Sequence, residues 1–485
     1  MRLRRFARFF ILLCIALCGF TVTVKAQEGF EHFSVAAHGA GGAYTTLSQG
    51  IDAIGLNPAL LGYENDHHLQ LSIIPFSAFG IDAGSSFRNV GAISTVFAHT
   101  DSNRVPTEQL QNVADLLSNG KLSGRADVEV LAASLYVPKV GGFGLAWTTH
   151  AGLRTDMDQR FLDIFHNAAT NLLVDSITAG EFDLQAQWYN EYSLSFGRAL
   201  VHYELSDSSE AVLGSLAVGG AIKYITGVGY MRLDPGNYVS IQQLPVNATE
   251  LRGRYTIHFA YPDQFDPQKV PNHFDFSFLS SSTAGSGYGF DLGAHAGLFH
   301  SKDGHDALSF AVSAVDIGSI TWTKNTQVRH ADAVKVVPHG VATNALTDSL
   351  AILAGKLEDV GSFTSALPAI LRIGAALDLE AIGISLAGTD LTFAVEYANG
   401  LNGTVGSTKN ARFGAGLLLN HPGKVFSLRA GLGFTTQAGS NEVTFGLGTS
   451  IMNGVSIDLS TAKLNELLGK TGSIEFAFSL RVLLL

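Results

Sequence analysis

Ionisable side chains are the residues of this chain that can do chemistry, and histidine is frequent among them. The sequence contains 16 histidines, but His67-His68, His295 and His300 have no partner at metal-ligand spacing, and no His-Glu-x-x-His motif occurs. A Gly-x-Ser-x-Gly nucleophile elbow is missing as well, and the Gly-Leu-Gly of residues 431–433 lies inside a strand pattern and not at a phosphate-binding turn. We therefore expect no enzyme, no metal site and no cofactor.

Charged residues inside strand patterns form the second group of candidates. The principal ones are Asp127, Glu129, Asp183, Asp291, Arg372, Glu396, Arg412, Arg429, Glu475 and Arg481. Most of them alternate with apolar residues, so an apolar face lies opposite each charge. Because a lipid-facing Arg or Lys near mid-membrane costs about 2–4 kcal/mol, we expect these side chains to face the lumen of a barrel. There they either pair across strands or bind a substrate.

Strict alternation of apolar and polar residues predicts about fourteen strands. The mean hydropathy is +0.21 with 53 glycines and only 15% charged residues, yet no segment after residue 26 offers the ~18 consecutive apolar residues of a membrane helix. We place strands at 68–84, 127–137, 143–149, 181–197, 211–227, 290–298, 310–314, 367–379, 390–399, 409–420, 424–436, 441–451, 454–459 and 473–484. Period-two interleaving predicts an all-β fold, a transmembrane antiparallel β-barrel.

The connections between these strands differ in length in a regular way. Those after even-numbered strands are mostly short, and every long one follows an odd-numbered strand. Outer-membrane barrels have short periplasmic turns and longer outer loops, so we expect both ends of the barrel in the periplasm. The long connections carry short predicted helices at 107–119, 162–172 and 350–357, whose apolar faces either bind a hydrophobic ligand at the outer mouth or pack on one another. The largest connection, 228–286, is expected to be a loop.

Residues 36–61 precede the first strand and do not alternate. Gly39, Gly41 and Gly42 permit positive φ and close backbone approach, while Pro58 keeps Asn57 extended and stops a helix. We interpret Asn57-Pro58 as a fixed turn that joins this insert to the first strand. The expected organisation is a plug over residues 27–67 and a barrel over residues 68–485.

Residues 1–26 have the pattern of a secretory signal peptide. A basic start is followed by an apolar stretch at 9–20 and a small residue, Ala26, at the expected cleavage site. The alternative, an uncleaved anchor, would require about 20 apolar residues. Both cysteines, Cys14 and Cys18, lie in this stretch, so the cleaved chain would hold no disulfide.

The charge balance argues against one class of partner. Removing the five basic residues of the signal leaves 26 Lys and Arg against 42 Asp and Glu. A nucleic-acid-binding protein would instead need clustered basic residues. No nucleic-acid partner is therefore expected.

The Gly-Gly-Ala-Tyr of residues 41–44, followed by the Asn-Pro-Ala of residues 57–59, resembles the start of FadL-like long-chain fatty-acid transporters. Segments 107–147, 188–194 and 315–322 are similar to an uncharacterised group of such barrels from Bacteroidota-type bacteria. The resemblance implies a fourteen-stranded barrel closed by a small N-terminal plug. The plug residues that it implies are Gly41, Gly42, Asn57, Pro58 and Ala59. The chain departs from the family in carrying one acid, Asp52, where transporters commonly have an acidic pair, and in ending at Leu485 instead of an aromatic residue.

These patterns lead us to expect a barrel that passes hydrophobic or amphipathic small molecules across the outer membrane of a Gram-negative bacterium. Its expected partners are outer-membrane lipid, a hydrophobic small-molecule ligand and the outer-membrane assembly machinery. Two alternatives remain open: a non-transporting scaffold of a surface or secretion complex, and a soluble secreted β-rich binding protein. An outer-membrane lipase has no motif to support it.

Overall fold

A computed structural model describes residues 34–65, 67–73, 79–83, 121–156, 176–179, 183–202, 213–245, 247–263, 283–300, 306–338, 355–381, 384, 389–421, 426–437, 440–452, 454–461 and 474–484. In these residues the chain forms a closed antiparallel barrel whose wall has fourteen strands. The fold class predicted from the alternation is confirmed.

The strand segments are β1 (Leu69–Ile73), β2 (Phe79–Ala83), β3 (Lys121–Val137), β4 (Gly141–Asp156), β5 (Ser176–Ala179), β6 (Asp183–His202), β7 (Leu213–Leu233), β8 (Tyr238–Leu244), β9 (Ala248–Ala260), β10 (Gly285–His300), β11 (Asp306–Trp322), β12 (Gln327–Pro338), β13 (Lys356–Asp359), β14 (Phe363–Ala366), β15 (Ile370–Asp378), β16 (Asp390–Gly400), β17 (Arg412–Asn420), β18 (Phe426–Gln437), β19 (Ser440–Met452), β20 (Val455–Thr461) and β21 (Ile474–Leu484). Every predicted strand overlaps one of them.

The wall closes where its first strand meets its last. Segments β1 and β2 together make the first wall strand, and both pair with β3 on one side and with β21 on the other. Between these ends the wall runs β3, β4, β6, β7, β10, β11, β15, β16, β17, β18, β19, β20 and β21. Closure gives the backbone groups of every wall strand a partner on both sides, as a lipid environment requires.

Alternation along each wall strand separates an apolar outer face from a polar inner face. On β17, Phe413 and Leu417 are exposed, while Gly414 and Gly416 between them are buried. Across β4, β6, β7 and β10 the outer face carries a row of aromatic rings, with centroid distances of 5.6, 6.3 and 5.6 Å. The rings are Trp147, Tyr192, Tyr224 and Tyr288. Such aromatic rows occur at the edges of a membrane-facing apolar band.

The long connections build a sheet that continues beyond the wall. Its strands pair in the order β5, β8, β9, β12 and β13, and β9 also pairs with the end of β7. The prediction of a loop over 228–286 was therefore wrong, because β8 and β9 lie in that range. We call this set of strands the outer sheet.

The helix predicted at 350–357 was also wrong at Leu357, which lies in β13. This strand is exposed along its whole length, so it has no core against which a helix could bury an apolar stripe. Pairing with β12 instead satisfies its backbone groups. Leu350 and Leu353, and the helices predicted at 107–119 and 162–172, lie outside the described residues.

Helical structure in the described residues is confined to the region before β1. It consists of α1 (Val35–Gly39) and two short 3-10 helices, Gly50–Ala53 and Pro58–Gly62. No helix in the described part of the chain is long and apolar enough to cross a membrane.

Candidate functional site

Residues 34–65, called here the N-terminal segment, lie inside the barrel and are mostly buried. The Ser34 hydroxyl caps α1 by accepting a hydrogen bond from the Ala37 amide at 3.3 Å. Gly41 and Gly42 follow with φ angles of 64° and 85°, which residues with a Cβ rarely adopt. The chain therefore turns directly after α1 and stays compact.

Inward-facing glycines of the wall receive the N-terminal segment. A Cβ added at any of them would lie under 3.0 Å from an atom of the segment. They are Gly142 and Gly144 on β4, Gly197 on β6, Gly219 on β7, Gly293 on β10, Gly414 and Gly416 on β17, Gly431 on β18 and Gly446 on β19. We call these residues the glycine seat. Because they come from two separate arcs of the wall, the segment fills the lumen from side to side.

Two arginines of the wall attach the first half of the segment. Arg481 on β21 donates to both carboxylate oxygens of Asp52, at 2.7 and 2.9 Å. These side chains are 8% and 13% exposed, so solvent screens the ion pair little. Arg412 on β17 donates from Nη2 to the Gly42 carbonyl at 3.4 Å. Asp52 is thus the strongest polar link of the segment to the wall, and we call this ion pair the Asp52–Arg481 latch.

Glu396 on β16 makes a further polar attachment. Its Oε2 accepts hydrogen bonds from the backbone amides of Tyr44 and Thr45, both at 2.9 Å. Its Oε1 accepts from Arg372 Nη1 on the neighbouring strand β15 at 2.8 Å, and both side chains are buried. Arg372 therefore holds Glu396 in the position from which it binds the N-terminal segment.

Asn57 fixes the second half of the segment against β10. Its Nδ2 donates to the carbonyls of Thr45 and Ala294, both at 3.3 Å, and its Oδ1 accepts from the Ala59 amide at 3.2 Å. Asn57 also caps the helix that begins at Pro58. The structure thus places Asn57-Pro58 differently from the sequence interpretation: the turn anchors the segment to the wall, and residues 63–68 lead to β1.

A layer of buried ionisable side chains lies beyond the N-terminal segment, nearer the end with the long connections. Lys223 on β7 is fully buried and contacts Glu191 at 3.1 Å, Asp291 at 3.0 Å and also Asp316. Asp316 has a φ of 58° in a bulge between β10 and β11, and its amide donates to Asp291 Oδ1 at 2.7 Å. The bulge turns the Asp316 carboxylate toward Lys223.

The same layer continues onto β3 and β4. Arg125 Nε lies 2.6 Å from Asp127 Oδ2, and His150 Nδ1 lies 2.5 Å from Asp127 Oδ1. On the other side of the ring, His150 Nε2 is 3.9 Å from Glu191 Oε2, too far for a hydrogen bond. Among the described residues, neither His150 Nε2 nor the buried Glu129 Oε1 has a hydrogen-bond partner. We call the whole group the ionic layer: Arg125, Asp127, Glu129, His150, Glu191, Lys223, Asp291 and Asp316.

The other predicted charges lie apart from this layer. Asp183 accepts from Arg154 at 2.7 and 3.1 Å at a partly exposed end of β6. Arg429 on β18 donates to Asp458 on β20 at 2.6 Å, and this pair is buried. Glu475 lies on β21, but its side chain is outside the described residues.

Sequence reasoning missed five members of the ionic layer: Arg125, His150, Glu191, Lys223 and Asp316. His150 was missed because the predicted strand ended at residue 149, whereas β4 continues to Asp156. For Lys223 the signal was present: its neighbours Ile222 and Tyr224 are 67% and 45% exposed on the apolar outer face, so Lys223 must point inward. The same argument predicts an inward-pointing side chain for any charged residue that lies between two outward-facing apolar residues of a strand.

An apolar group lies on the far side of the ionic layer from the N-terminal segment. Tyr189, Ile225, Ile320, Trp322 and Leu367 pack together there, and all are buried. Trp322 Nε1 donates to Ser365 Oγ at 2.9 Å. The connection 401–411 folds over this group, with Asn402 Nδ2 donating to the Leu367 carbonyl at 2.5 Å. We call the five packed residues the outer cluster.

Two small cavities flank the ionic layer, and His150 lines both. The first, of about 30 Å³, lies against the N-terminal segment, and its lining includes Ile51, Asp52, Ile54, Glu129, Glu191 and Arg481. The second, of about 10 Å³, lies toward the outer cluster, and its lining includes Arg125, Tyr189, Pro368 and Val405. Because a water molecule needs about 10–15 Å³ by this measure, the first cavity has room for about two waters and the second for about one. Neither is a passage for a larger molecule in this conformation.

Two tyrosines of the N-terminal segment remain neutral. Burial is the main reason that the pKa of Tyr44 lies above its usual range, and the Asp52 carboxylate raises it further. Burial also raises the pKa of Tyr63 to about 12. Neither phenol adds negative charge near neutral pH, so Asp52 remains the acid that the wall arginines meet.

Comparison with known proteins identifies the family. Residues 59–461 match the family described as "Family of unknown function (DUF5723)". The chain belongs to this family. No curated protein matches the chain. The matched range begins within the second 3-10 helix and ends with β20, so it contains most of the wall and the whole ionic layer.

Solved structures that are similar to this DUF5723 chain include two toluene transporters and a FadL homologue. The Ralstonia pickettii toluene transporter TbuX is 11% identical, with 94% of this chain and 100% of that chain covered and a TM-score of 0.39. The Pseudomonas putida toluene transporter TodX is 9% identical, with 95% and 98% covered and a TM-score of 0.40. A Pseudomonas aeruginosa FadL homologue is 12% identical, with 94% and 100% covered and a TM-score of 0.38. At these values the fold assignment rests on the strand pairings of the chain itself.

Proposed function

We propose that this DUF5723 protein is a barrel of the Gram-negative outer membrane that passes hydrophobic or amphipathic small molecules, and that the N-terminal segment is the plug that closes its inner end. In this proposal residues 1–26 direct export and residues 27–67 form the plug. The outer-membrane assembly machinery inserts the barrel, and the apolar outer face contacts lipid.

The seating of the N-terminal segment is the observation that carries the proposal. No described residue of 34–65 belongs to the sheet, so the segment can leave its seat without breaking a hydrogen bond between wall strands. It is attached instead through the glycine seat, the Asp52–Arg481 latch and Glu396. A segment that is attached to a closed barrel wall by separate side-chain contacts can take a docked and an undocked position, as a gate requires.

Two features support a hydrophobic cargo. The Gly-Gly-Ala-Tyr and Asn-Pro-Ala elements resemble those of FadL-like fatty-acid transporters. The outer cluster also places a buried apolar group, including Trp322 and Leu367, between the ionic layer and the end of the barrel with the long connections. Apolar and aromatic side chains of this kind are the lining that a site for a hydrophobic molecule requires.

A reversible disulfide between plug and wall tests the proposal. A Cβ added at Gly374 on β15 lies 3.7 Å from the Thr45 Cβ, within the Cβ–Cβ range of about 3.5–4.5 Å found in disulfides. The double variant Thr45→Cys/Gly374→Cys is purified, reconstituted into liposomes and assayed for uptake of a hydrophobic fluorescent dye. We expect oxidation to reduce uptake at least tenfold and a reducing agent to restore it.

The single variants Thr45→Cys and Gly374→Cys are matched controls, because neither can form the bond and both should be insensitive to oxidant. Equal uptake by the oxidised and reduced double variant would show that the N-terminal segment does not move during passage. Absence of uptake in every state, including a variant without residues 27–60, would remove the transport function itself.

A second candidate function, a non-transporting scaffold, is supported by the outer sheet. This sheet presents exposed apolar residues, among them Val334, Val336 and Leu357, on strands that are not needed to close the wall. A partner that binds there should co-purify in a fixed ratio from the native membrane, and Val336→Asp should release it. Unchanged recovery of the partner from Val336→Asp would separate the partner from this surface.

A further inference from the structure

The larger cavity has one polar side and one apolar side. Glu129, His150 and Glu191 of the ionic layer line the polar side, while Ile51 and Ile54 of the N-terminal segment line the apolar side. Its volume of about 30 Å³ equals roughly two water-sized spaces. The cavity therefore fits about two non-hydrogen atoms, namely one atom of a polar head group and the first apolar carbon attached to it. It fits nothing bulkier.

The polar side offers hydrogen-bond acceptors that the protein leaves open. Asp127 is an ion-pair partner of Arg125 and accepts a hydrogen bond from His150 Nδ1 at 2.5 Å, and in the tautomer that donates from Nδ1 the lone pair lies at Nε2. The His150 side chain is 8% exposed, and its Nε2 has no partner among the described residues. Glu129 Oε1 is buried and open in the same way. Two open acceptors in one buried cavity call for a ligand that donates.

The chemistry of the lining discriminates between head groups. A carboxylate head group has only acceptors and would meet the carboxyl groups of Glu129 and Glu191, while the Arg481 guanidinium in the same lining is already paired with Asp52. A hydroxyl group has one proton to donate and cannot serve both open acceptors. A primary ammonium group has three N–H donors and a positive charge that Glu129 favours. In the described residues no group of three or more His, Cys, Asp and Glu side chains is arranged to hold a metal ion.

We propose that this cavity binds the ammonium group of amphipathic primary amines, so that the cargo of the barrel is a cationic amphiphile. This inference rests on the transport function proposed above and names its substrate class. Glu129 is the anion that recognises the head group, and His150 Nε2 is the second acceptor, which orients it. Ile51 and Ile54 contact the first carbons of the tail.

The position of the cavity also links amine binding to the plug. Asp52 and Arg481 line the same cavity, so a bound ammonium group introduces a second cation beside the Asp52–Arg481 latch. The remaining tail needs the space that Ile51 and Ile54 of the N-terminal segment occupy. Binding of a longer amine therefore favours the undocked position of the segment.

Calorimetric titration of the detergent-purified full mature chain with three water-soluble probes tests the inference. The probes are n-hexylamine, 1-hexanol and hexanoate at neutral pH, each corrected by titration into protein-free micelles. We expect hexylamine to bind at least tenfold more tightly than hexanol, and hexanoate to bind more weakly than hexanol. Equal affinities for the three probes would overturn the inference without any variant.

Variants of Glu129 identify the recognition residue. Glu129→Gln should weaken hexylamine binding at least tenfold and leave hexanol binding unchanged, while Glu129→Asp, which keeps the charge, should retain the preference for the amine. Glu358→Gln, a change at an exposed acid of the outer sheet, is the matched control and should behave as the wild type. Wild-type selectivity in Glu129→Gln would overturn the assignment.

The disulfide lock separates failure of this inference from failure of the transport function. Redox-controlled uptake of a neutral dye, together with equal affinity for the three probes, would leave transport in place and remove the amine specificity. Amine-selective binding without uptake of any compound would remove transport and keep the head-group site.

Discussion

Removing Arg481 should shift the N-terminal segment toward its undocked position. In the docked position Asp52 is buried and its carboxylate receives two hydrogen bonds from Arg481. In Arg481→Gln the carboxylate stays buried without its cation, whereas in the undocked position it returns to water. Breaking a buried ion pair from one side costs about 3–5 kcal/mol. At a factor of ten for each 1.4 kcal/mol, the undocked population should rise by about a hundred- to several thousandfold.

Asp52→Asn should have a smaller effect, although it breaks the same ion pair. The asparagine Oδ1 still accepts one hydrogen bond. Arg481 also still has a carboxyl group nearby, because Glu129 lines the same cavity. The docked position then loses one hydrogen bond to a charged group, which costs about 1–3 kcal/mol. We expect Asp52→Asn to raise the undocked population about thirty times less than Arg481→Gln.

Thiol labelling measures these populations. Thr45 is fully buried in the docked segment, and the only cysteines of the chain are at 14 and 18, in the stretch expected to be cleaved. Thr45→Cys therefore supplies a single reporter whose reaction rate with a maleimide follows the undocked population. Equal labelling rates with and without Arg481→Gln would refute the view that the Asp52–Arg481 latch holds the segment. An equal or larger effect of Asp52→Asn would refute the part assigned to Glu129.

Three further perturbations test the seat, the outer face and the ionic layer. Gly416→Ala places a Cβ 2.6 Å from the Ala40 carbonyl oxygen and should raise Thr45→Cys labelling, while Gly229→Ala, with nothing within 4 Å of the new Cβ, should leave it unchanged. Ile222→Arg on the outer face should lower stability in liposomal urea unfolding by about 2–4 kcal/mol, and unchanged stability would mean that this face does not meet lipid. Lys223→Met leaves buried carboxyl groups without their cation and should lower the melting temperature measured on heat-modifiability gels. Arg154→Met should lower it less, because the ion pair of Arg154 with Asp183 is partly exposed.

The sequence by itself determined the wall. Successive side chains of a strand point to opposite faces, so a strand between lipid and a polar interior must alternate over its whole length. This local rule placed all the wall strands, as in β21, where apolar residues alternate with Glu475, Ser479 and Arg481. The same rule placed the long connections at one end of the barrel.

Pattern alone failed where the chain leaves the wall. Leu350, Leu353 and Leu357 have helical spacing, but Leu357 became part of β13 because β12 offers an unpaired edge and no apolar surface covers this region. The spacing of apolar residues shows which side chains a segment could bury together on one face. It does not describe which backbone partner the rest of the fold brings beside it.

Only the tertiary structure decided which charges meet. Lys223 and Asp316 are separated by 93 positions, and Asp52 and Arg481 by 429. Their contacts depend on the register of the wall and on one bulge at Asp316, which no local pattern encodes. The glycine seat is of the same kind, because a glycine that admits a neighbouring backbone looks in the sequence like any other glycine of a strand. Alternation is a property of each strand, whereas closure of the barrel around the N-terminal segment is a property of the whole chain.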